Sequence, residues 1–218
     1  PNNSSQINKT LFNKALGETP AVFIDAHCKR TGHVSIFSSS VIDVSFIIGY
    51  LHRLGHSNIG CIMTDPAENE IMNDRFNGYK KGMRGSAVAV HKKNLLILSN
   101  TPDSGTEDKI REYFKNNPRM TAVITLNSRL YSQTVYVLRS MKKRIPQDIS
   151  VTSYNDDFFH ERLISPVPTV INQRLDVIMQ TACKKILMMI GGEKLAPCDI
   201  EIASEHLIAD TTRSLHAE

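Results

Sequence analysis

A chain of 218 residues, 41% apolar and 22% charged, has the balance of a soluble globular protein, and at that length folding buries roughly 70% of the surface its unfolded chain exposes. No run approaches the roughly 18 consecutive apolar residues of a membrane span, and the polar residues 1–8 lack the charged start and apolar stretch of a secretory leader, so a cytoplasmic location is expected. The net charge of +4 is spread over short runs, Lys80-Lys81, Lys92-Lys93, Lys142-Lys143-Arg144 and Lys184-Lys185. None is as long as a nucleic-acid-binding arm, and no helix-turn-helix, zinc-finger or basic-zipper pattern occurs, so the chain is not expected to read DNA by itself.

In chain order, apolar strands alternate with amphipathic helices. Residues 20–25 (PAVFID) and 34–37 (VSIF) predict two strands. Ser39 and Ser40 offer a helix N-cap, since a serine hydroxyl accepts a bond from the free amides of a first turn. Val41, Val44, Ile48, Leu51 and Leu54 follow on one helical face, and Gly55 suits the left-handed residue that ends a helix. Residues 58–63 predict a buried strand, 74–83 part of a helix, 94–98 a strand, and 107–117 a helix stopped by Pro118. Residues 121–125 predict a strand, 131–143 a helix, 148–153 a strand, 175–190 a long helix closed by Gly191-Gly192, and 200–208 a last strand. Continuous apolar strands between helices imply an α/β fold whose parallel sheets are covered on both faces. In such sheets ligands bind beyond the carboxyl ends of the strands.

The spacing of reactive side chains does not suggest catalysis. There is no His-Glu-x-x-His, no Gly-x-Ser-x-Gly and no phosphate loop, and Gly78 and Gly82 fall inside a predicted helix. Cys28, Cys61, Cys183 and Cys198 are widely and irregularly spaced, which predicts reduced, mostly buried thiols rather than a zinc or redox site. His56, just after Gly55, is expected to meet the free carbonyls of a helix end. No metal or cofactor is implied. At the strand ends stand Asp25, Arg75, Asn127, Asn155, Asp156 and Asn172. Carboxylate acceptors, a guanidinium donor and amides that do both suit a neutral polyol, whose hydroxyls each donate and accept. Asn and Asp are also ordinary turn and cap residues.

Five motifs in order resemble the effector-binding domain of the lactose/galactose repressor family. Residues 20–25 are similar to its P-V-V-x-I-D, residues 50–60 (YLHRLGHSNIG) to Y-L-x-x-L-G-H-x-x-I-G, and residues 75–79 (RFNGY) to R-x-x-G-Y. Residues 145–151 (IPQDISV) are similar to I-P-x-D-I-S-V, with Tyr154-Asn155-Asp156 where F/Y-D-D is usual. Residues 168–172 (PTVIN) fall at T-T-V-x-Q. The motif run looks closest to the arabinose-responsive type, which pairs this domain with a winged-helix head.

The resemblance implies two α/β lobes like those of periplasmic sugar-binding proteins (the type I arrangement), with a sugar between them and a homodimer as the working unit. Residues 1–38 and 171–197 would form an N-terminally incomplete first lobe, and residues 39–170 and 198–218 the second. Operator DNA would be met only through a separate N-terminal head. It also implies that Arg75 grips effector hydroxyls or a carboxylate, that Asp25 is the strand-end aspartate of the first lobe, and that Asn127, Asn155 and Asn172 stand at further ligand positions. Ser128 and Asn155 replace aspartates and Ser153 a glycine, so the pocket departs from the common pattern. A transport solute-binding protein shares the fold and is the alternative. Taken alone, Arg75 could instead be a surface partner of Glu70 or Asp74, and its removal is expected to leave stability nearly unchanged.

Overall fold

The computed structural model describes residues 14, 16–67, 69–100, 103–155 and 165–216. Its strands form two sheets. The small sheet has the order β1 (Val22–Ile24), β2 (Val34–Ser38), β8 (Asp199–Ile202), all parallel. The large sheet runs β4 (Leu95–Leu98), β3 (Ile59–Thr64), β5 (Ala122–Thr125), β6 (Ser150–Tyr154), β7 (Thr169–Asn172), β9 (Glu205–Leu207), parallel except for β9 against β7. The helices are α1 (Cys28–Thr31), α2 (Ser40–Arg53), α3 (Glu70–Gly85), α4 (Thr106–Asn116), α5 (Ser128–Ser140) and α6 (Leu175–Ile190). The expected α/β class, with parallel-dominated sheets flanked by helices, is the one that forms.

The unbroken apolar runs of the large sheet follow from its two covered faces. In β3, Ile59, Cys61 and Met63 point into a core shared with α2 and α3, while Ile62 points into a second core under α4 and α5. In β5, Ala122 and Ile124 face the first core and Val123 the second. Every β3 and β5 side chain is buried, which is why no polar alternation shows in the sequence. Each fully buried Ile, Leu or Met contributes about 1.5–3 kcal/mol by leaving water. The small sheet has a thinner core, where Ile36 packs with Ile178 and Ala182 of α6, supported by Val22, Ile200 and Ile202.

Helices α2 and α3 pack closely because Gly78 and Gly82 present no side chain. A Cβ at Gly78 would lie 2.8 Å from the Val41 carbonyl oxygen, and one at Gly82 would lie 2.6 Å from Ile48 Cβ.

Several local expectations are corrected. Ser39 does occupy the N-cap of α2, but no side-chain cap bond forms there. Its backbone amide and hydroxyl turn to the Ile202 carbonyl, and the Ser40 hydroxyl meets Tyr154. Helix α3, of which residues 74–83 were expected to be part, starts at Glu70, where the Asn69 side chain accepts from the Met72 amide. The expected last strand at 200–208 is two strands in different sheets. Only Cys61 of the four thiols is buried; Cys183 and Cys198 lie on outward faces of α6 and the segment after it. His56 does not meet helix carbonyls with its ring. It is buried, with Nδ1 3.0 Å from Thr121 Oγ1 and Nε2 3.1 Å from the Arg213 carbonyl, tying the start of β5 to the C-terminal segment. Burial pushes its pKa below the ordinary imidazole value.

Among the described residues the chain passes between the two sheets at three places. The first is between Ser38 and Ser40. At the second, Ile171 and Asn172 still pair in the large sheet, Ile171 with Tyr154 and both with β9. At the third, Asp199–Ile202 pair with β2 in the small sheet, so the chain passes over between Ile202 and Glu205. Motif spacing locates a passage, whereas its last paired residue depends on which neighbouring strand still offers hydrogen bonds.

Candidate functional site

Parallel strands end on one side, and that side of the large sheet collects most of the expected polar residues. Arg75 sits one turn into α3 and is only 5% exposed. Its Nη1 donates to the Leu126 carbonyl at 2.8 Å, its Cζ lies 3.9 Å from the centre of the Tyr154 ring, and its Nε has no hydrogen-bond partner among the described residues. It makes no ion pair with Glu70 or Asp74; Asp74 is paired with His27 instead. Burial lowers the Arg75 pKa, and Tyr154 and Asp25 oppose that shift, so the guanidinium keeps its charge.

Asp25 follows β1 in the left-handed region, with φ 53. The residue is exposed at the strand end. Loss of water raises its carboxyl pKa, and Arg75 pulls it back.

Asn155, at φ 71, also uses the left-handed conformation that Asn tolerates. Its amide donates to the Ile171 carbonyl at 3.0 Å, while its buried side-chain Oδ1 makes no hydrogen bond among the described residues. Asn127 is the N-cap of α5, its Oδ1 accepting from the Leu130 amide at 2.9 Å, and Asn172 Oδ1 accepts from the Arg174 amide at 2.9 Å. Those two oxygens already hold local turns, so each amide offers a ligand mainly its NH2 group. Asp156 lies outside the described residues.

Other groups here were not singled out from the sequence. The buried Tyr154 carries Arg75 on its face, and its hydroxyl lies 2.8 Å from Ser38 Oγ and 3.1 Å from Ser40 Oγ. The position was legible as the aromatic of a motif, but its contacts with the first passage between sheets were not. Gln173, 2% exposed, leaves Nε2 without a partner among the described residues, beside the second passage. A glutamine next to a candidate asparagine is the only signal the sequence offers for it. A cavity of about 490 Å3 is lined by His27, Phe37, Ser38, Ser40 and Asp74; Ser38 and Ser40 bond Tyr154, but none of the described candidate residues lines it. A larger one of about 590 Å3, lined by Lys93, Leu96, Tyr113 and Asn117, shares none of them.

Tyr154→Phe should keep the ring beneath Arg75 but strand the Ser38 and Ser40 hydroxyls. Urea denaturation should show a loss of about 1 kcal/mol. Unchanged stability would mean that the phenol hydroxyl contributes nothing net.

Among the described residues, no helix is long and apolar enough to cross a membrane, and no group of three or more His, Cys, Asp or Glu is placed to hold a metal ion.

Similarity to known proteins agrees with this architecture. The family described as Periplasmic binding protein-like domain matches residues 48–211. The HTH-type transcriptional repressor PurR of Escherichia fergusonii is 29% identical over 171 residues, covering 76% of this chain and 49% of that protein. A probable opine utilization operon repressor of Rhizobium rhizogenes is 26% identical over 149 residues, covering 66% of this chain and 74% of the relative. The chain thus spans about half the length of the PurR relatives it matches. In fold it is similar to the transcription regulator CcpA of Lactococcus lactis, with TM-score 0.82, 14% identity, and coverage of 96% of this chain and 76% of that one. It is also similar to a LacI family transcriptional regulator from Enterococcus faecium with bound ribose, with TM-score 0.80, 20% identity, and coverage of 97% and 78%. The chain belongs to the periplasmic binding protein-like domain family.

Proposed function

We propose that this chain is the effector-sensing part of a transcription regulator. In this reading the small and large sheets mark two lobes, and a small polyhydroxylated ligand, a sugar or sugar derivative, binds at the strand ends between them. The change in lobe angle is passed, in a homodimer, to a DNA-binding head on a separate N-terminal segment. Such coupling requires the ligand to bind the two lobe arrangements with unequal affinity. The observation that carries the reading is two buried polar atoms at the ends of the large sheet's strands, the Arg75 Nε donor and the Asn155 Oδ1 acceptor, that have no hydrogen-bond partner among the described residues. Buried polar groups are normally paired, so a donor and an acceptor left open together favour a ligand that does both. Arg75, Asp25, Asn155, Asn127, Asn172 and Asp156 are the proposed contacts. That the curated relatives are repressors supports regulation over transport.

Calorimetric titration with pentoses, hexoses and their phosphates tests this. The expected result is saturable 1:1 binding of at least one, with no turnover. Failure of the folded protein to bind any member, or turnover that disappears in Arg75→Ala, would overturn it.

A further inference from the structure

Two residues beyond Asp25, the loop after β1 reaches across to α3. His27 Nε2 lies 2.8 Å from Asp74 Oδ2, and the His27 amide donates to Glu70 Oε2 at 3.4 Å. On its other side, Nδ1 lies 3.7 Å from Asp199 Oδ2 of β8. The ring edge packs on Phe37 at 4.3 Å between centroids. Asp199 is itself held in place, accepting from the Cys28 amide at 2.6 Å. The charged or titratable groups facing the ring are therefore Asp74 and Glu70 from α3 and Asp199 from β8, with the Cys28 thiol beside Asp199 and Glu201 farther along the same cavity.

We propose that His27 is a protonation-controlled latch that fixes the first turns of α3, which carry Arg75, against the small sheet, which leads into Asp25. A neutral imidazole has one N–H and one lone pair. If Nε2 carries the hydrogen and donates to Asp74, the Nδ1 lone pair points at the Asp199 carboxylate and repels it. The protonated ring keeps its hydrogen bond to Asp74 and turns the Asp199 contact, 3.7 Å from Nδ1, from a repulsion into an ion pair. With side chains each 23% exposed, His27 and Asp74 are reachable by solvent protons yet not freely solvated.

Burial opposes the proton, but Asp74, Glu70 and Asp199 outweigh it, so the ring holds its charge above the ordinary imidazole range. The sign follows. A raised folded-state pKa gives a contribution fully present below the unfolded value of about 6.5 and lost as pH rises through the folded value. Its consequence for ligand binding rests on the reading of the cleft proposed above; the latch itself can be measured without ligand.

The test is NMR titration of His27 in the full chain, with amide-exchange protection of Met72 and Asn73 in α3. The His27 midpoint should lie above about 6.5, and both Asp74→Asn and Asp199→Asn should lower it. Protection at Met72 and Asn73 should fall between pH 6 and pH 9 in the natural chain but not in His27→Gln, by at most about tenfold for each unit of raised midpoint. A midpoint at or below the ordinary value, or one that Asp74→Asn leaves in place, would overturn the latch. D-ribose calorimetry on the same samples separates the two readings: no binding, with the midpoints as expected, counts against ribose as effector and leaves the latch standing.

Discussion

Arg75→Ala should weaken effector binding at least about tenfold, since losing a charge-assisted hydrogen bond costs about 1.5–3 kcal/mol. It should also lower stability by about 1–3 kcal/mol. The second part departs from what the sequence suggested. As a surface residue paired with Glu70 or Asp74, Arg75 could be removed at little cost. The structure buries it to 5% exposure, bonds it to the Leu126 carbonyl and lays it on the Tyr154 ring. Alanine leaves that buried carbonyl without its donor and removes the cation–π contact, while relief of a desolvated charge offsets part of the loss. Arg75→Lys should recover part of the stability and little of the affinity. An ammonium on a flexible stem cannot bond Leu126, lie flat on Tyr154 and present a second donor at once. Urea denaturation and calorimetry on the same samples separate the two effects. A folded Arg75→Ala variant with unchanged affinity would remove Arg75 from the ligand site.

Gly82→Ala should destabilise the fold by about 1–3 kcal/mol, the usual penalty of overpacking. Alanine is the better helix former by about 1 kcal/mol, so propensity alone predicts the opposite sign. Packing decides, because the new methyl would lie 2.6 Å from Ile48 Cβ and 3.0 Å from the Ser45 carbonyl oxygen, and backbone on α2 cannot retreat as a flexible side chain could. Gly85→Ala is the internal control. At the end of the same helix it meets nothing within 4 Å, so there propensity should act unopposed and raise stability by roughly 0.5–1 kcal/mol. Thermal denaturation of the two variants should move in opposite directions. Equal shifts of the same sign would show that α2 and α3 do not approach this closely in solution.

The sequence alone carried the layered architecture. The runs at 59–64 and 122–125 are apolar at every or nearly every position because both faces of the large sheet are covered, and the helices between them carry a three-and-four periodicity. It also carried the neighbourhood of the site. Parallel strands joined by helices must all end on one side, so Arg75, Asn127 and Asn155 could be placed near one another without knowing which strand pairs with which.

What the sequence could not carry was the use to which each polar atom is put. The oxygens of Asn127 and Asn172 are taken by the backbone amides of Leu130 and Arg174, whereas that of Asn155 is left open. Ser39 and Ser40 sit where cap residues belong, yet their hydroxyls turn to Ile202 and Tyr154, across more than 100 residues of chain. The splitting of 200–208 between two sheets and the reach of His27 to Asp74 are of the same kind. Periodicity reports which face of an element is buried, because burial is set by the averaged environment of that face. A hydrogen-bond partner is set by the position of one atom on a distant element, and only the packed tertiary structure brings that atom within 3 Å.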